Sequence, residues 1–435
     1  MSQTKKKAGF FDIFKNARHY RMEQFTILVV VLVLAMSVIT GVCFQANLTQ
    51  QSEMLSSRAM YNKSFRTSLT DISGSVQGVY SSNDKTKAFV LFKFSDINNI
   101  STDARQYKAF LTCAPLPQNK LFMNGTPAGS IYTFGTSGYM GVYLVNQSGF
   151  QPQVLSLTVR SLKPLKSTDT EGNSKLAEED PTFKNNDQFC VYFNPGADEA
   201  KSIPCLNMNE VPSVKDLFDQ TVAVDSLKEY NKTLREDLSN MASALNRIDE
   251  YTNRLAKQDS VQVPDAPSCI KGDKISVKHN SRNIEDDSYR IHFESIVNGG
   301  YDFNWQAVKV GDNILRDVMR KEGMFDMTPE QYFAKKVAQR HGTGDASPLD
   351  DITNMQWRLN DGTPVESLNT GTDTGRYSSI QSDIQNLINA WQEYLRYKTQ
   401  YQTTDLEKVL NLSSMSNDIS DSAIVNSTEK ALRVY

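Results

Sequence analysis

The chain has 435 residues, with 47 Lys and Arg against 50 Asp and Glu, and 10% of it is aromatic. A net charge of −3, with no basic block beyond the first 24 residues, gives a nucleic-acid partner no electrostatic footing. The many Tyr and Phe exclude a wholly disordered stalk, and the length allows two or more domains.

Residues 1–24 form a basic tail. Lys5, Lys6, Lys7, Lys15, Arg18 and Arg21 stand there against Asp12 and Glu23. Within it, Phe10-Phe11-Asp12-Ile13-Phe14 reads either as a short amphipathic helix on an anionic membrane surface or as disordered tail. Residues 25–44, FTILVVVLVLAMSVITGVCF, carry no charge. At about 1.5 Å per residue such a helix covers roughly 30 Å, the hydrocarbon thickness of a bilayer. A cleaved signal peptide has an apolar core of only ~7–15 residues. The sequence after this run, Cys43-Phe44-Gln45-Ala46-Asn47, is also a poor cleavage context. One transmembrane signal-anchor helix is therefore expected. Its basic flank predicts a cytoplasmic N-terminus and a C-terminal bulk outside, in a periplasm or on a cell surface.

Residues 45–80 read as a polar connector. Residues 81–205 read as an extracytoplasmic β-rich domain. Runs at 87–94, 107–113, 130–134, 138–145, 154–160 and 187–193 are rich in aromatic and β-branched residues. Gly125, Pro127, Gly129, Gly135, Gly149 and Pro152 punctuate the turns, which predicts an antiparallel sandwich or barrel. Only the 154–160 run alternates cleanly, so the registers of the others stay open. The insert Lys166–Asp180 is polar and reads as a loop. Four cysteines lie beyond the apolar helix: Cys113, Cys190, Cys205 and Cys269. They allow three pairings, of which Cys190 with Cys205 is the local disulfide candidate; four free thiols are the alternative. Asn-x-Ser/Thr sequons begin at Asn47, Asn62, Asn99, Asn124, Asn146, Asn231, Asn411 and Asn426. They carry meaning only in a host that glycosylates exported chains.

Residues 212–258 change to a helical period. Leu234, Leu238, Met241, Leu245, Ile248 and Leu255 follow alternating steps of four and three, with Thr252 in the seam and Leu227 and Asn231 before it. A 3.5-residue period predicts a coiled-coil-type helix paired along its length. A second heptad helix is expected over 376–412, on Ile380, Ile384, Leu387, Trp391 and Tyr394, before Lys398 breaks the pattern and Tyr401 resumes it. Ile388 and Leu395 widen its apolar face. The two helices are expected either to pair with each other, antiparallel, or to pair with copies of themselves.

Between them, residues 270–370 read as a small α+β module. Strands are expected at 274–277 and 289–296, and helices at 310–320 and 328–340. Thr328-Pro-Glu-Gln331 is a capping signal for the second helix, with Pro at its first position. Residues 413–435 read as a polar tail.

The fold class expected is thus multidomain α+β: a membrane helix, a sandwich-like domain, and long helices flanking the module. Catalytic, cofactor and metal residues are not expected. His279, His292 and His341 are widely spaced, and no metalloprotease helix motif, paired Cys-x-x-Cys, phosphate loop or nucleophile elbow occurs. The stretch His341–Asp351 offers oxygen ligands for calcium without EF-hand spacing, and Glu285-Asp286-Asp287 reads as a charged turn. The layout fits a membrane-anchored structural or binding subunit of a cell-envelope assembly, such as a bacterial secretion or conjugation machine. Its expected partners are the membrane and either other protein subunits or itself. A type II surface or viral attachment glycoprotein is the alternative, and an exported hydrolase is a third.

Overall fold

The computed structural model describes residues 21–113, 126–164, 185–279, 288–341, 356–370, 373–421 and 432–434. The chain opens with helix α1 (Arg21–Ser57). Strands β1 (Ser64–Arg66), β2 (Ser73–Ser81), β3 (Lys87–Phe94), β4 (Tyr107–Cys113), β5 (Ala128–Thr133), β6 (Tyr139–Val145), β7 (Leu155–Pro164) and β8 (Asn186–Phe193) follow. Then come α2 (Val214–Phe218), a π-helical turn at Asp219–Ala223, and α3 (Val224–Lys257). The middle section holds β9 (Val261–Gln262), β10 (Lys274–Lys278), β11 (Ser288–His292), α4 (Ile314–Lys321), α5 (Pro329–His341) and β12 (Arg358–Leu359). Helix α6 (Thr374–Thr399), a second π-helical turn at Gln400–Asp405, α7 (Leu406–Asp421) and β13 (Leu432–Val434) close the chain.

Within α1, Leu28–Ala46 is long and apolar enough to cross a membrane, and none of it is buried against the rest of the protein. Two of its hydroxyls bond within the helix. Ser37 Oγ donates to the Val33 carbonyl at 2.8 Å, and Thr40 donates to the Met36 carbonyl. Such i to i−4 bonds remove the cost of a bare hydroxyl in hydrocarbon. The tail segment Phe10–Phe14 lies outside the described residues.

The strands form two sheets, ordered β1-β2-β3-β6-β5 and β13-β4-β7-β8. All pairings in them are antiparallel except β13 with β4, which is parallel. The two sheets face each other across one apolar core. Val90 and Phe92 of β3 and Val142 and Leu144 of β6 meet Leu157 and Val159 of β7 and Phe189 and Val191 of β8 there. The opposite face of the first sheet is buried as well. Phe89, Leu91, Tyr132 and Tyr143 on that face share a second core with the helices and the middle section. Lys87–Phe94 therefore carries almost no polar alternation because both of its faces are covered. The molecule is layered: sheet, sheet, helices.

The stretch expected as a connector, 45–80, differs from that reading. It holds the end of α1, all of β1 and most of β2. After α1 the chain runs directly along the outer edge of β8. Met60 bridges Phe193, Tyr61 N–H donates to the Tyr192 carbonyl at 3.1 Å, and Ser68 N–H donates to the Gln188 carbonyl at 2.9 Å. The pairing also covers an otherwise bare strand edge. The 413–435 stretch likewise contains the last turns of α7 and the whole of β13.

The two long helices lie antiparallel against each other. Arg254 reaches Asp383 at 3.2 Å and Arg247 reaches Glu393 at 2.7 Å. Farther along, Ser416 Oγ donates to Asp219 at 2.6 Å. Leu234, Leu238, Met241, Ile248 and Leu255 are buried, Leu245 is partly buried, and Ile380, Ile384, Leu387, Trp391 and Tyr394 are buried opposite. The pair is part of the larger second core, with the first sheet and the middle section packed on it. In that section β10 and β11 form a hairpin. The capping signal is realised at the start of α5: Thr328 N–H donates to Gln331 Oε1 at 3.1 Å, and Gln331 N–H donates to Thr328 Oγ1 at 3.3 Å.

Candidate functional site

One end of the sandwich opens into a cavity of about 390 Å³. Its floor is apolar: Ile72, Phe94, Ile100, Tyr107, Val159 and Phe189. Phe94 and Phe189 meet edge to face with ring centroids 5.4 Å apart, at an interplanar angle of 82°. The rim is polar, and four segments distant in sequence supply it: the β1–β2 turn, the β3–β4 connection, the end of β7 and the start of β8.

The rim is held by local hydrogen bonds. Asp187 Oδ1 accepts from Leu69 N–H at 2.8 Å and from Ser68 Oγ at 3.3 Å, and Oδ2 accepts from the Thr70 hydroxyl. These bonds tie the β1–β2 turn to β8, so the Asp187 carboxylate acts as a brace. Tyr107 donates its phenolic proton to the Ser101 carbonyl at 3.0 Å and accepts from Ser101 N–H at 2.9 Å. Burial pushes the Tyr107 phenol up to about 12, so it stays a neutral donor across the physiological range. In the wall, Gln106 Oε1 is buried without a hydrogen-bond partner. Lys163 stands exposed at the lip. A concave apolar floor with a few fixed polar groups suits reversible binding of a ligand that is apolar in body and polar at its edge.

The cavity is placed away from the end of α1. The α1 junction pairs with Phe193 at the end of β8, whereas the cavity is lined by Asp187, Gln188 and Phe189 at its start. Four residue steps of strand, from Phe189 to Phe193, separate them, roughly 13 Å at the usual rise.

Other expected sites resolve differently. Cys190 and Cys205 are free thiols, so the disulfide expected between them is corrected. Cys190 lies on the outward face of β8, with Sγ 3.1 Å from Ser156 Oγ. Cys205 is buried in the second core, beyond the first sheet, where burial pushes its thiol up to about 11. Packed sheets stand about 10 Å apart, too far for two cysteines on their opposite outer sides to be bridged. His279, His292 and His341 are all exposed. Most of His341–Asp351 and all of Glu285–Asp287 lie outside the described residues. Among the described residues, no group of three His, Cys, Asp or Glu is placed to hold a metal ion. Of the sequons, Asn62 and Asn146 spend their side-chain amides on backbone: Asn62 on Tyr192 N–H and the Cys190 carbonyl, Asn146 on the Gly149 carbonyl and Ser148 N–H. Asn99 is exposed at the cavity lip.

Sequence reasoning missed the cavity altogether. Its lining comes from four segments whose residues are individually ordinary, and long-range pairings bring them together, among them the unrecognised β1–β2 hairpin braced on Asp187. No family model, no curated protein and no solved structure matches this chain.

Proposed function

We propose that this chain is a single-pass membrane protein that holds a folded binding or scaffold body outside the cytoplasm, as a subunit of an envelope assembly. The carrying observation is the uncovered Leu28–Ala46 helix, joined to the sandwich through strand pairing rather than through a loose linker. An apolar helix with no protein cover is stable only where lipid replaces that cover. The six basic residues before it set the direction, N-terminus inside. The direct junction would keep the cavity end at a fixed distance from the anchor. Because the helical seams are filled within the chain, partners would meet other surfaces, with the distal cavity as the candidate recognition site.

Alkaline extraction of membranes from cells expressing the full chain tests this. The intact chain should stay in the membrane pellet, and protease added from outside should digest the body while sparing the tail. A soluble product shortened by the first 44 residues or so would instead identify a cleaved leader and sink the anchored reading. Mild-detergent purification with mass spectrometry then distinguishes an assembly subunit from a lone binder.

A further inference from the structure

The parallel strand β13 is built differently from the rest of the sandwich. It spans only Leu432–Val434, and its residues register with Ala109, Phe110 and Leu111 of β4. Leu432 is buried, and its socket is made by an absence of side chain at Gly129. A Cβ there would fall 3.1 Å from Leu432 Cδ2 and 2.9 Å from the Tyr143 carbonyl oxygen. β13 holds the edge position of its sheet, beside β4. Three residues return few ladder bonds, each worth about 1 kcal/mol net, while the loop closed by the pairing is more than 300 residues long. Such an edge opens locally far more often than the body unfolds.

When β13 leaves, β4 exposes a row of unpaired N–H and C=O groups beside an empty leucine socket. That is the recognition surface of strand addition: main-chain bonds supply affinity and one side-chain pocket supplies specificity. We propose that the β4 edge is a strand-acceptor site, and that its occupant in the assembled state is the Leu432–Val434 strand of a second copy of this chain. The argument for a second copy is identity of fit. The segment that complements β4 and Gly129 is the chain's own, so each copy carries both the strand and the site that receives it, and exchange of an identical element is a low-cost route to association. Residues 422–431, which join α7 to β13, lie outside the described residues; ten residues span at most about 35 Å, enough for a neighbouring body in contact. Anchoring side by side in one membrane, which rests on the function proposed above, would raise the local concentration of strand and site. The acceptor site itself does not depend on that reading.

The test uses two differently tagged forms of the chain in one membrane. The acceptor lacks residues 432–435. The donor keeps its strand, carries a photoreactive group in place of Arg433, and has its own socket filled by Gly129→Leu. A donor with Gly129 intact runs in parallel, in case the filled socket prevents folding. Illumination should join donor to acceptor, and peptide mapping should place the link within 107–113 of the acceptor. Leu432→Asp in the donor should cut the yield by about tenfold or more, the cost of losing one buried leucine. Links formed only within single chains would overturn the exchange. No link to β4 even within one chain would overturn the acceptor site. Recovery of both tagged chains in the soluble fraction would count against anchoring alone, since a mapped link there would still support the site.

Discussion

The two cores of this molecule are made of different materials. Between the sheets, side chains such as Val90, Phe92, Leu157 and Phe189 meet without a charge among them. The one buried charged residue of the sandwich among those described, Arg160, lies over the Phe110 ring at 4.7 Å and donates to Gln188 at 3.1 Å. The helical core, by contrast, buries Asp237, Asp273, Lys336, Asp383, Lys398 and Asp405. Strand register is already dictated by ladder bonds and by the two-residue alternation of faces. A pair of packed helices has no such rule, because sliding by whole turns restores a similar apolar contact. A buried contact between the helices helps to resolve this: Asp383 of α6 meets Arg254 of α3, and a slipped register would part them.

The largest expected effect comes from breaking the most buried pair. Lys398 Nζ lies 2.6 Å from Asp273 Oδ2, and both side chains are 0% exposed. Lys398 also donates to the Cys269 carbonyl at 2.6 Å, while Tyr394 donates to the same carboxylate oxygen at 2.8 Å. Lys398→Met leaves Asp273 charged and uncompensated, which should cost about 3–5 kcal/mol in denaturant unfolding of the full chain in detergent. Asp273→Leu combined with Lys398→Met should recover much of that loss, because a buried pair replaced as a unit is often neutral. If the double variant is as unstable as the single, the contrast between the two cores fails.

A smaller effect is expected where volume rather than charge is the constraint. Gly141 of β6 lies beneath the Phe89 ring, and a Cβ there would fall 2.1 Å from Phe89 Cζ. Gly141→Val should cost about 1–3 kcal/mol by overpacking, measured by the same unfolding. Adding Phe89→Leu should return part of it, since residues in contact are not additive. Two independent costs that simply add would mean the sheet is not packed by this contact.

Much of the molecule was readable because its signals are local. The strands at Lys87–Phe94 and Tyr107–Cys113 fall where their composition placed them, and the Thr328–Gln331 cap forms as its four residues imply. What escaped was non-local. β2 reads SGSVQGVYS, poor in apolar residues, and its register shifts between Val76 and Gly78. Gly74 within it is required because the Phe65 ring lies where a Cβ would be, 2.3 Å from Phe65 Cζ. That contact depends on β1, which is itself only three residues long. Lys398 read as a break in the second seam. It is the seam's most buried charge, but its partner lies 125 residues away and nothing nearby announces it.

The remaining prediction concerns pH, and it separates the two cores in one molecule. Asp237 on α3 is 4% exposed and faces Asp405 in the π-helical turn, where Lys408 holds Asp405 at 2.7 Å. Burial, then a hydrogen bond to Asp405 and the Asp405 charge, push Asp237 from 3.8 up to about 8; Lys408 opposes this and Glu236 adds to it. The folded chain therefore keeps a proton that the unfolded chain releases near pH 4. Between about pH 4 and 8 the folded state binds more protons than the unfolded one, so stability falls as pH rises, by up to about 1.4 kcal/mol per pH unit. Above about pH 8 both states are deprotonated and the loss levels off. Asp237→Asn, uncharged at every pH, should flatten this dependence and leave the variant more stable than the parent at pH 9. Hydrogen-exchange protection should fall first in α3 and α6 as pH rises, while β7 and β8 hold theirs, because no buried carboxyl pair lies between the sheets among the described residues. Equal loss of protection in both would mean that the cores unfold as one unit, and that the charges of the helical layer stabilise the sandwich as much as they do the helices.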